Sequence, residues 1–100
     1  MKRLRLKRGY VPKALKGMRL VKVYGAGGQR LDAKYDKEGY LSEVRNPRGT
    51  RESVYIAQTG EAGFSAFGVK SQKAYGRMLS AEKLAFYLAD KGHKSVEFRT

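Results

Sequence analysis

The sequence predicts an α+β fold: an antiparallel, largely meander β-sheet packed by one C-terminal α-helix, with a basic N-terminal arm in front of it. Three observations predict it. From Met18 onward apolar and polar residues alternate and turn signals recur at short intervals, the grain of antiparallel strands. Between Ser80 and Gly92 the period changes, and Ala81, Leu84, Ala85 and Leu88 share one helical face. The charge is polarised as well: eight of the 22 Lys and Arg lie within the first nineteen residues, ahead of the first acid, Asp32, in a chain of net charge +13. One hundred residues suit one small domain, so the expected organisation is an arm at 1–17, disordered when free, and a single domain at 18–100.

Within the arm, Leu4 and Leu6 alternate with Arg3, Arg5 and Lys7, which gives a short strand as its one ordered option. Val11 before Pro12 imposes an extended link, and Gly17 ends any helical turn begun at Pro12. Removing 1–17 is expected to leave the domain folded. Residues 18–24 read as a strand, followed by the loop Gly25-Ala26-Gly27-Gly28. Residues 29–35 follow as a half-buried strand, with Leu31, Ala33 and Tyr35 on one face. Asp36-Lys37-Glu38-Gly39 closes a hairpin into 40–45, and Asn46-Pro47-Arg48-Gly49 has the residue order of a type I turn leading into 52–58. After the turn at 59–63, strands at 64–70 and 73–79 meet at Ser71-Gln72. Ser80 is the expected helix N-cap, Glu82 suits the positive first turn, and Gly92 is the natural residue past the C-terminus. Val96 and Phe98 alternate with polar residues in a last strand over 94–99.

A concentrated block of cations displaces condensed counterions from phosphates, so nucleic acid, DNA or RNA, is the expected partner. Lys2, Arg3, Arg5, Lys7, Arg8, Lys13, Lys16 and Arg19 are the candidate backbone contacts. Arg45, Arg48 and Arg51 form a second candidate on one hairpin, since guanidinium forks match phosphates and guanine edges. The signatures of the RNP aromatics, the GXXG clamp and zinc fingers are missing, and no family is named by the sequence. Exposed tyrosines, with Tyr10, Tyr40 and Tyr75 the candidates, would stack on unpaired bases. Tyr24, Tyr35, Tyr55 and Tyr87 are expected in the core with Phe64, Phe67, Phe86 and Phe98.

Two other partner classes fit the same charge. One is a larger host enzyme or nucleoprotein complex, bound and regulated or inhibited by a small phage or mobile-element modulator. The other is the RNA of a ribosomal or ribonucleoprotein particle that orders the arm. Catalysis and cofactors are not expected. With no Cys and one histidine there is no metal or nucleophile pair, and His93, just past the helix, is expected in solvent. Asp36 and Glu38 read as turn residues, and Glu43 and Glu52 as cross-strand neighbours balanced by Arg45 and Arg51. The Gly25–Gly28 stretch lacks the spacing and the following helix of a dinucleotide site. No apolar run approaches a membrane span, so no membrane partner is expected, and the cytoplasm is the expected location.

Overall fold

In the computed structural model, residues 2–28, 31–47, 52–59 and 63–100 are described. The alternating stretches become β1 (Lys2–Arg5), β2 (Arg19–Tyr24), β3 (Ala33–Tyr35), β4 (Leu41–Arg45), β5 (Ser53–Gln58), β6 (Phe64–Gly68), β7 (Ala74–Leu79) and β8 (Ser95–Arg99), with α1 (Ala81–Asp90) before the last strand. The class is therefore α+β with antiparallel strands and a C-terminal helix, but the strands divide into two sheets: β3-β4-β5-β6-β7, a five-stranded meander, and β1-β8-β2.

The meander follows from local chemistry. Asp36 Oδ1 accepts from the backbone N–H groups of Glu38 and Tyr40 at 3.0 and 2.9 Å, fixing the turn between β3 and β4. On the inward face Val54 lies opposite Val44 and Gly68, and Ile56 opposite Ala66. Ser80 caps α1 by accepting from Lys83 N–H at 3.1 Å. At the other end Gly92, at φ 96°, donates to Ala89 O while His93 N–H donates to Leu88 O, a Schellman closure that only a residue tolerant of left-handed backbone makes cheaply. Leu84, Ala85 and Leu88 then join Val44, Val54, Ile56, Phe64 and Ala66 in one core with Leu20, Val23, Val96 and Phe98.

The second sheet comes from pairing that is distant in sequence. β8 is inserted between β1 and β2, with Leu4 opposite Val96, Leu20 opposite Phe98 and Val23 opposite Val96. Val96 and Phe98 are fully buried, and their apolar neighbours come from the start of the chain. Gln58 joins the sheets: its amide accepts from Leu20 N–H at 2.8 Å and donates to Leu20 O and Leu41 O at 2.9 and 2.7 Å.

The segment expected as a free arm at 1–17 is part of this framework. Lys2–Arg5 is a strand, and Leu15 is fully buried in the core. Its backbone N–H donates to Glu82 Oε2 at 2.7 Å, next to a left-handed Ala14 at φ 64°. Pro12 and Gly17, read as an extended link and the stop of a helical turn, lie in a crossover that brings Leu15 onto the first turn of α1. Removal of 1–17 would open the core.

His93 differs too, being 1% exposed, because the Schellman turn sends the chain inward. Its Nε2 lies 2.9 Å from Asn46 Oδ1, and Asn46 is also buried. Glu43 and Glu52 do not face one another. Glu43 lies opposite Tyr55, 3.9 Å from Lys34 Nζ, whereas Glu52 is buried beneath the turn between β6 and β7. There it accepts from the N–H groups of Lys70 and Ser71, the Ser71 hydroxyl and the Tyr75 hydroxyl. A Cβ at Gly68 would collide with that carboxylate and with the Ser71 hydroxyl, so a side chain there would displace Glu52 from its hydrogen bonds. Of the eight aromatics expected inside, Phe64 and Phe98 are buried, Tyr35 and Tyr55 are exposed, and Tyr24, Phe67, Phe86 and Tyr87 are half-buried.

Candidate nucleic-acid interface

Strand alternation places the apolar residues of β1, β8 and β2 inward and sends their polar partners to the opposite face of the small sheet. That outer face carries Arg3 and Arg5 from β1, Ser95, Glu97 and Arg99 from β8, and Arg19, Lys22 and Tyr24 from β2. The register sets them in rows: Arg3, Glu97 and Lys22 form one, Arg5, Ser95 and Tyr24 the next, and Arg19 lies opposite Arg99. Five cations thus surround one carboxylate. Glu97 is held by the Tyr24 hydroxyl, which donates to it at 3.4 Å, and lies 3.9 Å from Arg3 Nη1. The Arg3 guanidinium sits 4.8 Å above the Tyr24 ring.

The eight predicted cations of the first nineteen residues do different work. Arg5 is exposed on this face, and Lys7, Lys13 and Lys16 are exposed along the crossover from β1 to β2; none of the four side chains has a partner among the described residues. Lys2 Nζ reaches Ala14 O at 3.5 Å, and Arg8 lies 3.6 Å from Asp90 with both side chains well exposed, a weak surface pair. Arg19 is committed to the fold. Its Nη2 donates to Gln58 O at 3.0 Å, lies 3.8 Å from Asp36 Oδ2, and its guanidinium stacks 3.8 Å from the Tyr40 ring. Arg99 joins the same ring at 4.8 Å and donates to Glu38 O at 3.1 Å.

Of the predicted hairpin cluster, Arg45 is exposed at the end of β4, while Arg48 and Arg51 lie outside the described residues. Arg45 belongs to the five-stranded sheet and so does not join the N-terminal cations on theirs. Gly25–Gly28 holds a short 3-10 turn, Ala26–Gly28, and the next element among the described residues is β3. Beside β2, a groove lined by Lys22, Tyr24, Leu31, Asp32 and Tyr35 runs between the two sheets.

Sequence reasoning set Lys22 only beside a loop that could contact a sugar-phosphate backbone, expected Tyr24 in the core and left out Arg99. The alternation of β2 and β8 carried their signal, but their meeting with Arg3 and Arg5 depends on β8 lying between β1 and β2. Among the described residues no cluster of acids and His is arranged to hold a metal, and no helix is long and apolar enough to cross a membrane. Comparisons with protein-family models, curated proteins and solved structures give no match. The functional reading therefore rests on the site itself.

Proposed function

We propose that this chain is a small non-enzymatic nucleic-acid-binding protein that seats a sugar-phosphate backbone against the outer face of β1-β8-β2. One observation carries the reading: Arg3, Arg5, Lys22 and Arg99 flank a single carboxylate on one sheet face. Lys7, Lys13 and Lys16 stand exposed on the crossover that leaves the same strand. Arg3 shares its charge with Glu97 and Arg99 is held at Glu38 O, whereas Arg5 and Lys22 have no charge partner among the described residues. Such cations are what a polyanion recruits, since each phosphate neutralised releases condensed counterions. The commitments of the acidic residues and histidine favour binding over turnover. Glu52 anchors a turn, Glu82 holds Leu15, Asp36 shapes a hairpin and His93 is sealed in the interior. A cysteine-free chain of this charge suits the reducing cytoplasm, where DNA and RNA are both at hand.

Fluorescence-anisotropy titration of labelled DNA and RNA at physiological salt tests this. Arg5→Glu with Lys22→Glu should weaken binding by about tenfold or more, because each reversal removes a contact and adds a repulsion. Lys37→Glu, in the exposed turn between β3 and β4, should cost much less. Equal losses would reduce the effect to net charge, and a native protein that binds neither nucleic acid would end the proposal.

A further inference from the structure

We infer that the outer face of the five-stranded sheet is a stacking platform for unpaired bases, which makes single-stranded nucleic acid the ligand; the inference rests on the nucleic-acid reading above and narrows it. Tyr55 on β5 lies directly opposite Phe67 on β6, in a row that runs Lys34, Glu43, Tyr55, Phe67, Ala74 across all five strands. Val54, Ile56, Phe64 and Ala66 turn the other way into the core shared with α1 and the small sheet, so no described element covers this row. Tyr55 is 47% exposed and neighbouring Val69 41% exposed. Alternation on a one-sided sheet calls for polar residues here, and two adjacent aromatics break that rule at a place where the fold gains little from them.

The charges around the pair say what belongs on it. The Arg77 guanidinium lies 5.3 Å from the Phe67 ring centroid, Arg45 is exposed on the same face of β4, and Lys34 is exposed at the β3 edge. Glu43, beside Tyr55 in the row and 3.9 Å from Lys34 Nζ, is the one acid among the residues lining the depression beside the rings, formed by Glu43, Tyr55, Phe67, Gly68, Val69 and Gln72. A carboxylate there repels a phosphate but accepts a hydrogen bond from the N–H edge of a base. The arrangement therefore seats a base on the rings with its N–H edge towards Glu43 and sends its phosphates towards Arg45 and Arg77. A duplex keeps its bases stacked on one another, out of reach of a flat aromatic pair, whereas an unpaired base offers both π-face and N–H edge.

The test compares single-stranded DNA and RNA oligonucleotides with the matching duplexes by fluorescence anisotropy, using the intact chain. Tyr55→Ala with Phe67→Ala should weaken single-strand binding by about tenfold or more and leave duplex binding within about twofold. Tyr55→Phe should retain single-strand affinity, since the ring and not the hydroxyl stacks, and thermal unfolding of each variant confirms that the domain is intact. The Arg5→Glu, Lys22→Glu protein should lose both ligands. If the alanine pair leaves single-strand binding unchanged, or lowers both forms equally, the platform is overturned while the basic-face reading stands. If the native protein binds neither form, both fall. Loss of single strands but not duplex supports the inference, and relative affinities for DNA and RNA then say which strand is the ligand.

Discussion

His93 is interior because the turn that ends α1 leaves it no other direction, and that placement makes it a proton-linked residue. Burial pushes its imidazole down to about 4 from an ordinary 6.5, since the charged form loses its hydration there and the neutral amide of Asn46 supplies no opposite charge. The sign follows directly. Above 6.5 the ring is neutral in both folded and unfolded chains, while between 6.5 and 4 the unfolded chain takes up a proton that the native one refuses. Stability should therefore fall by about 3 kcal/mol over that window. Glu52 acts lower on the scale. The Tyr75 hydroxyl, followed by Ser71 and Lys70, stabilises its carboxylate and holds it down to about 2 from 4.5, so its contribution is complete above 4.5 and lost as pH falls towards 2. Urea midpoints measured against pH should decline in these two steps. His93→Gln should remove the upper step alone, an assignment made simple by its being the sole histidine. A midpoint that stays flat from 6.5 to 5 in the native protein would place the imidazole in solvent.

Among the elements, the crossover between β1 and β2 shows where local pattern stops being informative. Its Leu15, fully buried, stands among Lys13, Ala14 and Lys16, and the polarity of the two lysines hides a core position. Leu15→Ala should destabilise the protein by about 2–5 kcal/mol, the range for emptying a buried leucine site, read as a lower thermal or urea midpoint. A chain lacking 1–17 should lose cooperative unfolding, because it also strips β1 from β8. An unchanged midpoint for the truncated chain would restore the free arm. By contrast α1 was legible in full. Ser80, the apolar spacing and Gly92 all act within one turn of the residues they govern, as do the turn residues of the meander. The insertion of β8 between β1 and β2, and the amide of Gln58 bridging Leu20 to Leu41, depend on residues 17 to 96 positions apart, which no short window along the chain contains. Glu52 was misread for the same reason, since its partners lie beyond the next strand.

At the scale of the whole molecule, charge was legible and its allocation was not. Composition announces +13, yet folding spends some arginines on internal contacts and leaves others facing out. Arg5 and Arg19 make the sharpest comparison: same side chain, same N-terminal block, both on the outer side of the small sheet. Arg5 is exposed and unpartnered among the described residues, whereas Arg19 is wedged against Tyr40, Gln58 O and Asp36. If phosphates occupy this sheet, only a cation free to meet them contributes to counterion release. The logarithm of affinity for a duplex should fall linearly with the logarithm of salt concentration, with a slope of about −0.9 for each phosphate contact, or about −0.7 on a single strand. Arg5→Gln should flatten the slope by about one such contact and leave the thermal midpoint nearly unchanged. Arg19→Gln should do the reverse, lowering the midpoint while the slope holds, because what it breaks is the strut between β2 and the hairpin at 36–39. Equal flattening by the two substitutions would return Arg19 to the phosphate contacts and mean that its grip on Tyr40 yields when nucleic acid arrives.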